Sequence, residues 1–317
     1  MKTLLPLFTG LLVLTSVAQA GPIQQNQIAA DARWVAHVDV DRLLQSRFGE
    51  HVAREFLDKH LAKPNAKLRT DLGVEVDWRK IHSVTAYGWN LKGKEVLDGV
   101  LLIQADLDLP AMLDLVAAKL GQNGNAESPL QKFEENDATI YQVRNEAYGA
   151  ASKSGGFIVA RTKERLLAAL KAASGRGNSL PSSKLGSLGV DKDAFLLFGV
   201  AADFNELANL PKQAQVLQQA EGARLTAGEK AENVFVTLSL DTRTVEAATQ
   251  IQQLVQGLIA LGNLNRDQNV DLQKLAQAAR VESKEKQVTL ALQMPVQDVI
   301  TKVDQVHNKS GRKAKAK

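Results

Sequence analysis

The period of the hydrophobic pattern changes repeatedly along this chain, between two residues and three to four residues. A period of two indicates a strand with one apolar face, and a period near 3.6 indicates an amphipathic helix. Residues 34–40, 81–89 and 97–107 are predicted as strands, and residues 43–61 show the helical pattern as one long helix. Because strands and helices alternate, the sequence predicts an α+β fold in which helices pack on antiparallel or mixed sheets.

The order of these patterns divides the chain into two similar parts. Residues 21–173 are predicted to have the element order β-α-β-β-α-β-β-α, and residues 193–307 the order β-α-β-α-β-β-α. Residues 174–192, rich in Ser and Gly, predict a linker between them. We therefore expect a tandem of two related α+β units, followed by a disordered basic tail at 308–317.

Three local patterns carry further structural expectations. Residues 139–144 and 156–161 are predicted to pair as strands, and Asp203 to Glu206 has the spacing of a capping box that opens a helix. Residues 195–200 are apolar on both sides, which is typical of a strand buried on both faces. That strand predicts a substantial interface between the two units.

The first twenty residues have the features of a secretory signal. Lys2 precedes an apolar stretch at 4–17 that is too short to span a bilayer, and Ala18 and Ala20 frame a cleavage site before Gly21. We expect a mature chain that begins at Gly21, has no transmembrane anchor, and is periplasmic or extracellular.

The chain contains no cysteine. This excludes thiol nucleophiles, cysteine-bound zinc, iron–sulfur clusters and a lipid anchor on cysteine. No motif predicts a cofactor.

The net charge of +4 is concentrated in the last ten residues. Elsewhere the mature chain has 33 basic and 35 acidic residues, so the composition predicts no nucleic-acid partner. The tail is either a solubilising end or an electrostatic tether to an anionic envelope polymer or lipid. Its basic residues are Lys309, Arg312, Lys313, Lys315 and Lys317.

In the second half, residues 234–240 are predicted as a strand and residues 244–261 as a helix with an apolar stripe, and strand patterns follow at 280–294. The phrase Val-Gln-Gly-Leu-Ile-Ala-Leu occupies 255–261. This succession resembles uncharacterised exported bacterial proteins of unknown activity. The resemblance implies an exported α+β protein and supplies no catalytic or binding residues.

His37, Asp39 and Asp41 alternate along the first strand, so their side chains are predicted to share one face. Histidine with carboxylates suits zinc or manganese, and a fourth ligand would come from elsewhere. The same alternation is typical of the polar side of a half-exposed strand, and Asp41 can also cap the next helix. His51 and Glu55, four residues apart, similarly share one helix face that either holds a metal or is simply solvated.

Other catalytic motifs are absent from the sequence. Gly88 to Lys94 matches the start of a phosphate-binding loop, but Glu95 follows where Ser or Thr is required and the next segment is strand-like. No Ser lies in a G-x-S-x-G motif.

One group of residues predicts a binding face. If Trp34, Ala36 and Val38 face the core, then a polar sheet face with two aromatic side chains points outward. Alternatively, helices or the second unit cover this face and the aromatics are buried. The predicted binding residues are His37, Asp39, Thr85, Tyr87, Trp89, Gln142 and Arg144.

The sequence therefore favours an exported, non-catalytic binding or scaffold protein of the bacterial envelope, whose partner is an envelope protein or polymer. The alternative is a metal-assisted hydrolase that uses His37 and Asp39.

Overall fold

Twelve antiparallel strands form one continuous sheet in the computed structural model of the chain. Their order across the sheet is β11-β12-β10-β9-β8-β1-β2-β3-β7-β6-β5-β4. The strands are β1 (Trp34–Asp39), β2 (Ile81–Gly88), β3 (Gly99–Ala105), β4 (Leu130–Glu135), β5 (Ala138–Val143), β6 (Ala147–Ala151), β7 (Phe157–Ala160), β8 (Ala194–Ala201), β9 (Ala220–Lys230), β10 (Asn233–Thr242), β11 (Ala279–Lys284) and β12 (Gln287–Pro295). The structure describes residues 23–90, 98–122, 129–136, 138–144, 146–152, 156–181, 192–201, 212–264 and 270–315.

Helices pack on both faces of this sheet. They are α1 (Val40–Gln45), α2 (Arg47–Val52), α3 (Asp58–Leu72), α4 (Leu109–Gln122), α5 (Lys163–Ala173), α6 (Val245–Leu264), α7 (Val270–Ala278) and α8 (Val296–Lys315). Short 3-10 segments occur at Gln25–Gln27, Trp78–Lys80 and Lys212–Gln219. No helix of the described residues is long and apolar enough to cross a membrane.

The strand register assigns each helix to a face. Val35 lies opposite Tyr87, which lies opposite Val100, so these side chains share one face, and α5 packs there through Leu166 and Ala169. The other face carries α4, which packs against Leu130, Tyr141 and Phe157. It also carries α6, whose Ala248 and Ile251 pack with Val288 of β12. Core clusters therefore lie on both sides of the sheet.

The centre of the sheet joins the two parts of the chain. Strand β8 pairs with β1 on one side and with β9 on the other. Leu197 of β8 is fully buried opposite His37, whereas Phe198 is 38% exposed. The prediction of a strand buried on both faces is therefore correct for Leu197 and wrong for Phe198.

Several predicted boundaries and pairings are wrong. Segments 139–144 and 156–161 do not pair with each other, because β6 lies between β5 and β7. The sequence analysis missed β4, β6 and β9. Strand β9 is rich in Ala, Gly, Glu and Lys, residues with low strand propensity, and it forms because β8 and β10 pair with it on both sides.

The single helix predicted over 43–61 is divided in the structure. Helix α1 ends at Ser46, whose side chain accepts a hydrogen bond from the Gly49 amide and caps α2. A π-helical turn, Ala53–Leu57, leads into α3, which ends at Gly73 in the left-handed conformation, with φ of 71°.

Helix α8 extends through Lys315, into the segment predicted as a disordered tail. That part of the prediction is wrong as far as Lys315, while Lys317 lies outside the described residues. The predicted signal peptide, the Gly88 to Lys94 motif beyond Asn90, and the capping box at Asp203 also lie outside them. Part of the predicted linker packs on the N-terminal segment, since the Leu180 amide donates to the Ile28 carbonyl.

Candidate functional site

The face of β1 and β2 predicted to point outward is buried. Tyr87 is fully buried, and His37 and Asp39 are 3% and 5% exposed. Helix α5 and the N-terminal segment around Ile28 pack on this face. The predicted orientation of β1 is therefore wrong, and the alternative in which helices cover the face is confirmed.

His37 is a buried neutral histidine. Its Nδ1 lies 2.8 Å from Oγ1 of Thr85, its neighbour across the strand pair, and the two atoms share a hydrogen bond. Burial lowers the pKa of His37 to about 4, because the interior disfavours the charged imidazolium. The arrangement fits a polar pair inside the sheet.

Asp39 and Asp41 are oriented toward different partners. The Asp39 carboxylate caps α1 by accepting from the Arg42 amide at 2.9 Å, while burial raises the pKa of Asp39 despite this bond and the Arg42 charge. Asp41 instead approaches His82. Among the described residues, no group of three or more His or carboxylate side chains has an arrangement that could hold a metal ion.

The predicted aromatics connect α5 to the sheet. The ring of Trp89 stacks edge to face on Tyr87, with 5.8 Å between ring centroids. The Arg165 guanidinium of α5 lies 3.6 Å from the centre of the Trp89 ring, a cation–π contact, and 3.7 Å from Asp98. These contacts account for the aromatic pair as packing under α5.

Gln142 and Arg144 lie at the end of β5, away from this cluster. The Gln142 amide donates to the Arg144 carbonyl at 2.7 Å, and Arg144 adopts a φ of 47° in the following turn. The seven predicted binding residues therefore do not form one open surface.

His51 and Glu55, which were predicted to share one helix face, also have separate partners. His51 Nε2 lies 2.8 Å from Asp304 of α8, and Glu55 pairs with Lys59. The contact between His51 and Asp304 links α2 to α8.

His82 lies between two carboxylates, an arrangement that spacing along the sequence does not indicate. Its Nδ1 is 2.9 Å from Asp41 of α1 and its Nε2 is 3.1 Å from Asp106, just after β3. Burial opposes protonation of His82, but the hydrogen bonds and charges of Asp106 and Asp41 outweigh it and raise the pKa.

This raised pKa predicts how stability depends on pH. The stabilisation by protonated His82 should be fully present below about pH 6.5, the ordinary histidine pKa, and be lost as the pH rises through the higher pKa of the folded protein. We expect His82→Gln to cost up to ~1 kcal/mol on the acidic side and less above it, measured by urea unfolding across pH. A cost that stays constant with pH would contradict the charged bridge.

Among the described residues, the most exposed large apolar side chains lie on the C-terminal half of α6. Leu258 and Leu261 are each 59% exposed and Leu264 is 78% exposed. We call these three residues the leucine surface. Since Leu258 follows the buried Ile251 by seven residues, or two helical turns, both lie on the same side of α6. That side packs on the sheet at Ile251 and is exposed at Leu258.

The leucine surface belongs to a helix segment without charge. Residues 247–264 contain no Asp, Glu, Lys or Arg, although 23% of the chain is charged. Gly257 lies beside the leucines, and a Cβ on it would meet no atom within 4 Å. Periodicity along the sequence indicates an apolar helical stripe here, but it does not show which residues of the stripe pack on the sheet.

A second apolar feature lies nearby in sequence, between α7 and α8. It is a groove of about 310 Å³ whose apolar lining includes Leu275, Met294, Val299 and Val303. An ion pair between Lys302 of α8 and Asp271 of α7 crosses it. Leu275 is itself 43% exposed, so α7 extends the exposed apolar area of these C-terminal helices.

Comparisons with known proteins give structural neighbours only. No protein-family model and no curated protein matches the sequence. Two solved structures of TP0453, a Treponema protein, are similar to this chain at 10% sequence identity. Crystal form III has a TM-score of 0.49 over 89% of this chain and 98% of the other, and crystal form I has 0.47 over 90% and 97%.

Proposed function

We propose that this chain is an exported binding or scaffold protein of the bacterial envelope, and that a partner protein binds its leucine surface. The observation that carries the proposal is the exposure of Leu258, Leu261 and Leu264 on one uncharged helix segment, 247–264. Contiguous exposed apolar residues on a folded protein mark interaction sites, whereas isolated ones do not.

The energy available at this surface is sufficient for specific binding. Fully burying one leucine side chain contributes about 1.5–3 kcal/mol relative to leaving it exposed. Three leucines therefore provide an apolar centre like the buried core of a protein interface. The absence of charge from 247–264 removes the desolvation cost that ionic side chains would add.

The chemistry of the surface favours an apolar helix as the partner element. Leucines at positions 258, 261 and 264 recur every three residues, and the exposed Gly257 leaves room for a second helix to approach closely. Helix-on-helix recognition uses anchors at this spacing. An acidic or basic partner would find no complementary charge on this part of α6.

The proposal includes a tandem organisation and a destination outside the cytoplasm. Support for the tandem comes from the strand order on each side of the β1–β8 pair. On one side, β1, β2 and β3 are neighbours in chain order, and β7, the last strand of the group β4 to β7, pairs with β3. On the other side, β8, β9 and β10 are neighbours in chain order, and β12, the last strand of the pair β11 and β12, pairs with β10. Support for export comes from the signal pattern before Gly21, and the basic residues after His307 provide the proposed tether to anionic envelope polymer.

The test is photo-crosslinking in the producing cell. A photoreactive residue at Ala260, beside the leucines, should form an adduct with a defined envelope protein. The double variant Leu258→Lys and Leu261→Lys should reduce that adduct about tenfold, which corresponds to ~1.4 kcal/mol of binding free energy. Mass spectrometry of the adduct identifies the partner and its contacting segment.

Leu115→Lys is the matched control, because Leu115 of α4 is 42% exposed and lies on a different helix. It should leave the adduct unchanged, as should a chain that ends at His307. Absence of an Ala260 adduct, or an equal loss in the Leu115 variant, would refute the leucine surface as the binding site.

A further inference from the structure

The sheet has two edge strands, β4 at one end of the strand order and β11 at the other. The outer side of an edge strand presents backbone amides and carbonyls to which a strand of another chain can bind. Among the described residues, no strand pairs with the outer side of β11. The side chains of Arg280, Glu282 and Lys284 are exposed, whereas Val281 packs against the core under α6. One face of β11 is therefore charged and accessible.

The hairpin register determines which backbone groups of β11 point outward. The turn between β11 and β12 has two residues, so Lys284 and Gln287 on either side of it form a hydrogen-bonded pair. The Lys286 carbonyl instead accepts from the Thr242 amide of β10 at 2.8 Å. Because the direction alternates along a strand, every second residue of β11, counted from Lys284, bonds to β12. The residues whose amides and carbonyls point away from the sheet are Ala279, Val281 and Ser283.

The charges of β11 complement a second copy of the same strand in one antiparallel register. If Val281 lies opposite Val281 of the second copy, Arg280 lies opposite Glu282, and the two-fold symmetry forms this pair twice. Side chains are closest in such non-hydrogen-bonded pairs, and unlike charges there are stabilising. A shift by two residues in either direction instead brings Arg280 opposite Arg280 or Glu282 opposite Glu282. The charges therefore select a single register.

The outward backbone groups fit the same register. Val281 of each copy would exchange two hydrogen bonds across the symmetry axis, and Ala279 would exchange two with Ser283 in each half. The order of charges and the direction of the backbone groups are independent features of β11. Both favour pairing about Val281.

Arg280 and Glu282 are free to form this contact. Neither makes an ion pair with another side chain within the part of the chain that the structure describes. One nitrogen of Arg280, Nη1, donates to the Gln277 and Ala279 carbonyls. The remaining donors of the guanidinium can therefore bind a carboxylate.

The other edge strand, β4, lacks this property. Its Lys132 pairs with Asp114 of α4 at 2.9 Å, and its Glu134 accepts a hydrogen bond from the Thr139 hydroxyl of β5. These charges are already bound within the chain, so β4 is the weaker candidate for self-pairing.

We propose that two copies of this chain pair through β11, antiparallel about Val281, so that one sheet continues across both copies. Each copy contributes the same surface, so the contact closes at a dimer. The proposal goes beyond the leucine surface, because Leu258, Leu261 and Leu264 lie on α6 and not on β11.

Disulfide cross-linking of the chain from Gly21 to Lys317 tests the register. The chain has no cysteine, so introduced thiols have no competitors. Cα atoms of a non-hydrogen-bonded pair lie about 4.5 Å apart, within the range of about 4.4–6.8 Å that a disulfide spans. A mixture of Arg280→Cys and Glu282→Cys chains, one of them tagged, should form a mixed dimer on mild oxidation. Gel electrophoresis without reductant detects it.

Either cysteine variant alone should not cross-link. Two copies of the same residue would be diagonal neighbours, about 7–8 Å apart and beyond the reach of a disulfide. Lys63→Cys, at an exposed position on α3, controls for random collisions. Absence of the mixed dimer, or self-cross-linking of either variant at the yield of the mixture, would overturn the proposed register.

Charge reversal tests the ion pairs. Arg280→Glu or Glu282→Arg alone turns both attractive pairs into repulsive ones, so each should raise the dimer dissociation constant about tenfold or more in analytical ultracentrifugation. The double variant exchanges the charges and should return the constant to within about threefold of the wild type. Lys63→Glu changes the net charge as much as Arg280→Glu and should have no effect.

The double variant also controls for folding, because it too loses the bonds from Arg280 to its own backbone. Recovery of the dimer would show that Arg280→Glu weakens the contact and does not unfold the chain. A wild-type chain that is monomeric at every concentration, a dimer unaffected by both single reversals, or a double variant as weak as the single ones would each overturn the proposal.

Discussion

Tyr87→Ala should destabilise the protein by about 3–5 kcal/mol, the range for removing a large aromatic side chain from a core. Tyr87 is fully buried, its ring contacts Trp89, and it packs in the cluster under α5. A loss of this size is a large fraction of the ~5–15 kcal/mol that stabilises an ordinary domain. Urea unfolding followed by circular dichroism measures it.

Tyr87→Phe is the matched control. It keeps the ring in place and removes only the hydroxyl, so we expect a change within ~1.5 kcal/mol. Burial raises the pKa of Tyr87, which means that the hydroxyl is neutral and that its removal leaves no charge unpaired. If Tyr87→Ala were as stable as the wild type, the face of β1 and β2 would be an open surface, which is one of the two alternatives that the sequence left.

Gly49→Ala should destabilise the protein by about 3 kcal/mol, the upper end of the usual cost of overpacking. A Cβ on Gly49 would lie 1.8 Å from the Leu43 carbonyl oxygen. The contact involves backbone, so no side-chain rotation relieves it. The corner between α1 and α2 must open, and the His51 contact to Asp304 of α8 should weaken with it.

Gly257→Ala should change the stability in the opposite direction and serves as the control. Gly257 also lies within a helix, but its added Cβ would meet open space. Alanine has the higher helix propensity by roughly 0.5–1 kcal/mol, so this variant should be slightly more stable than the wild type. Thermal and urea unfolding of both variants measure the two changes in stability. Equal effects would mean that the close approach of Gly49 to Leu43 does not exist in solution.

Much of the local structure follows from hydrophobic period. The patterns at 34–40, 81–89 and 97–107 correspond to β1, β2 and β3, and the stripe at 244–261 corresponds to α6. These segments have a regular hydrophobic period and many apolar residues. Their local sequence therefore favours the same strand or helix that tertiary packing stabilises. Strands β4, β6 and β9 lack that signal and form because neighbouring strands complete their hydrogen bonds.

The sequence alone indicated only part of the candidate site. Leu258 could be assigned to an apolar helix face, but its exposure depends on which residues of α6 pack on the sheet. Residue spacing gives no information on such contacts.

By itself, the sequence determined the α+β class, the absence of thiol chemistry, and the segments that alternate between strand and helix, because these depend on composition and local period. Only the tertiary structure decided which side of β1 is buried. Local preference favours burial of the side that carries Trp34, Ala36 and Val38, because the other side carries the polar His37 and Asp39 beside Val35. Helix α5 covers the second side, where Thr85 pairs with His37, and that long-range packing outweighs the polarity of the strand.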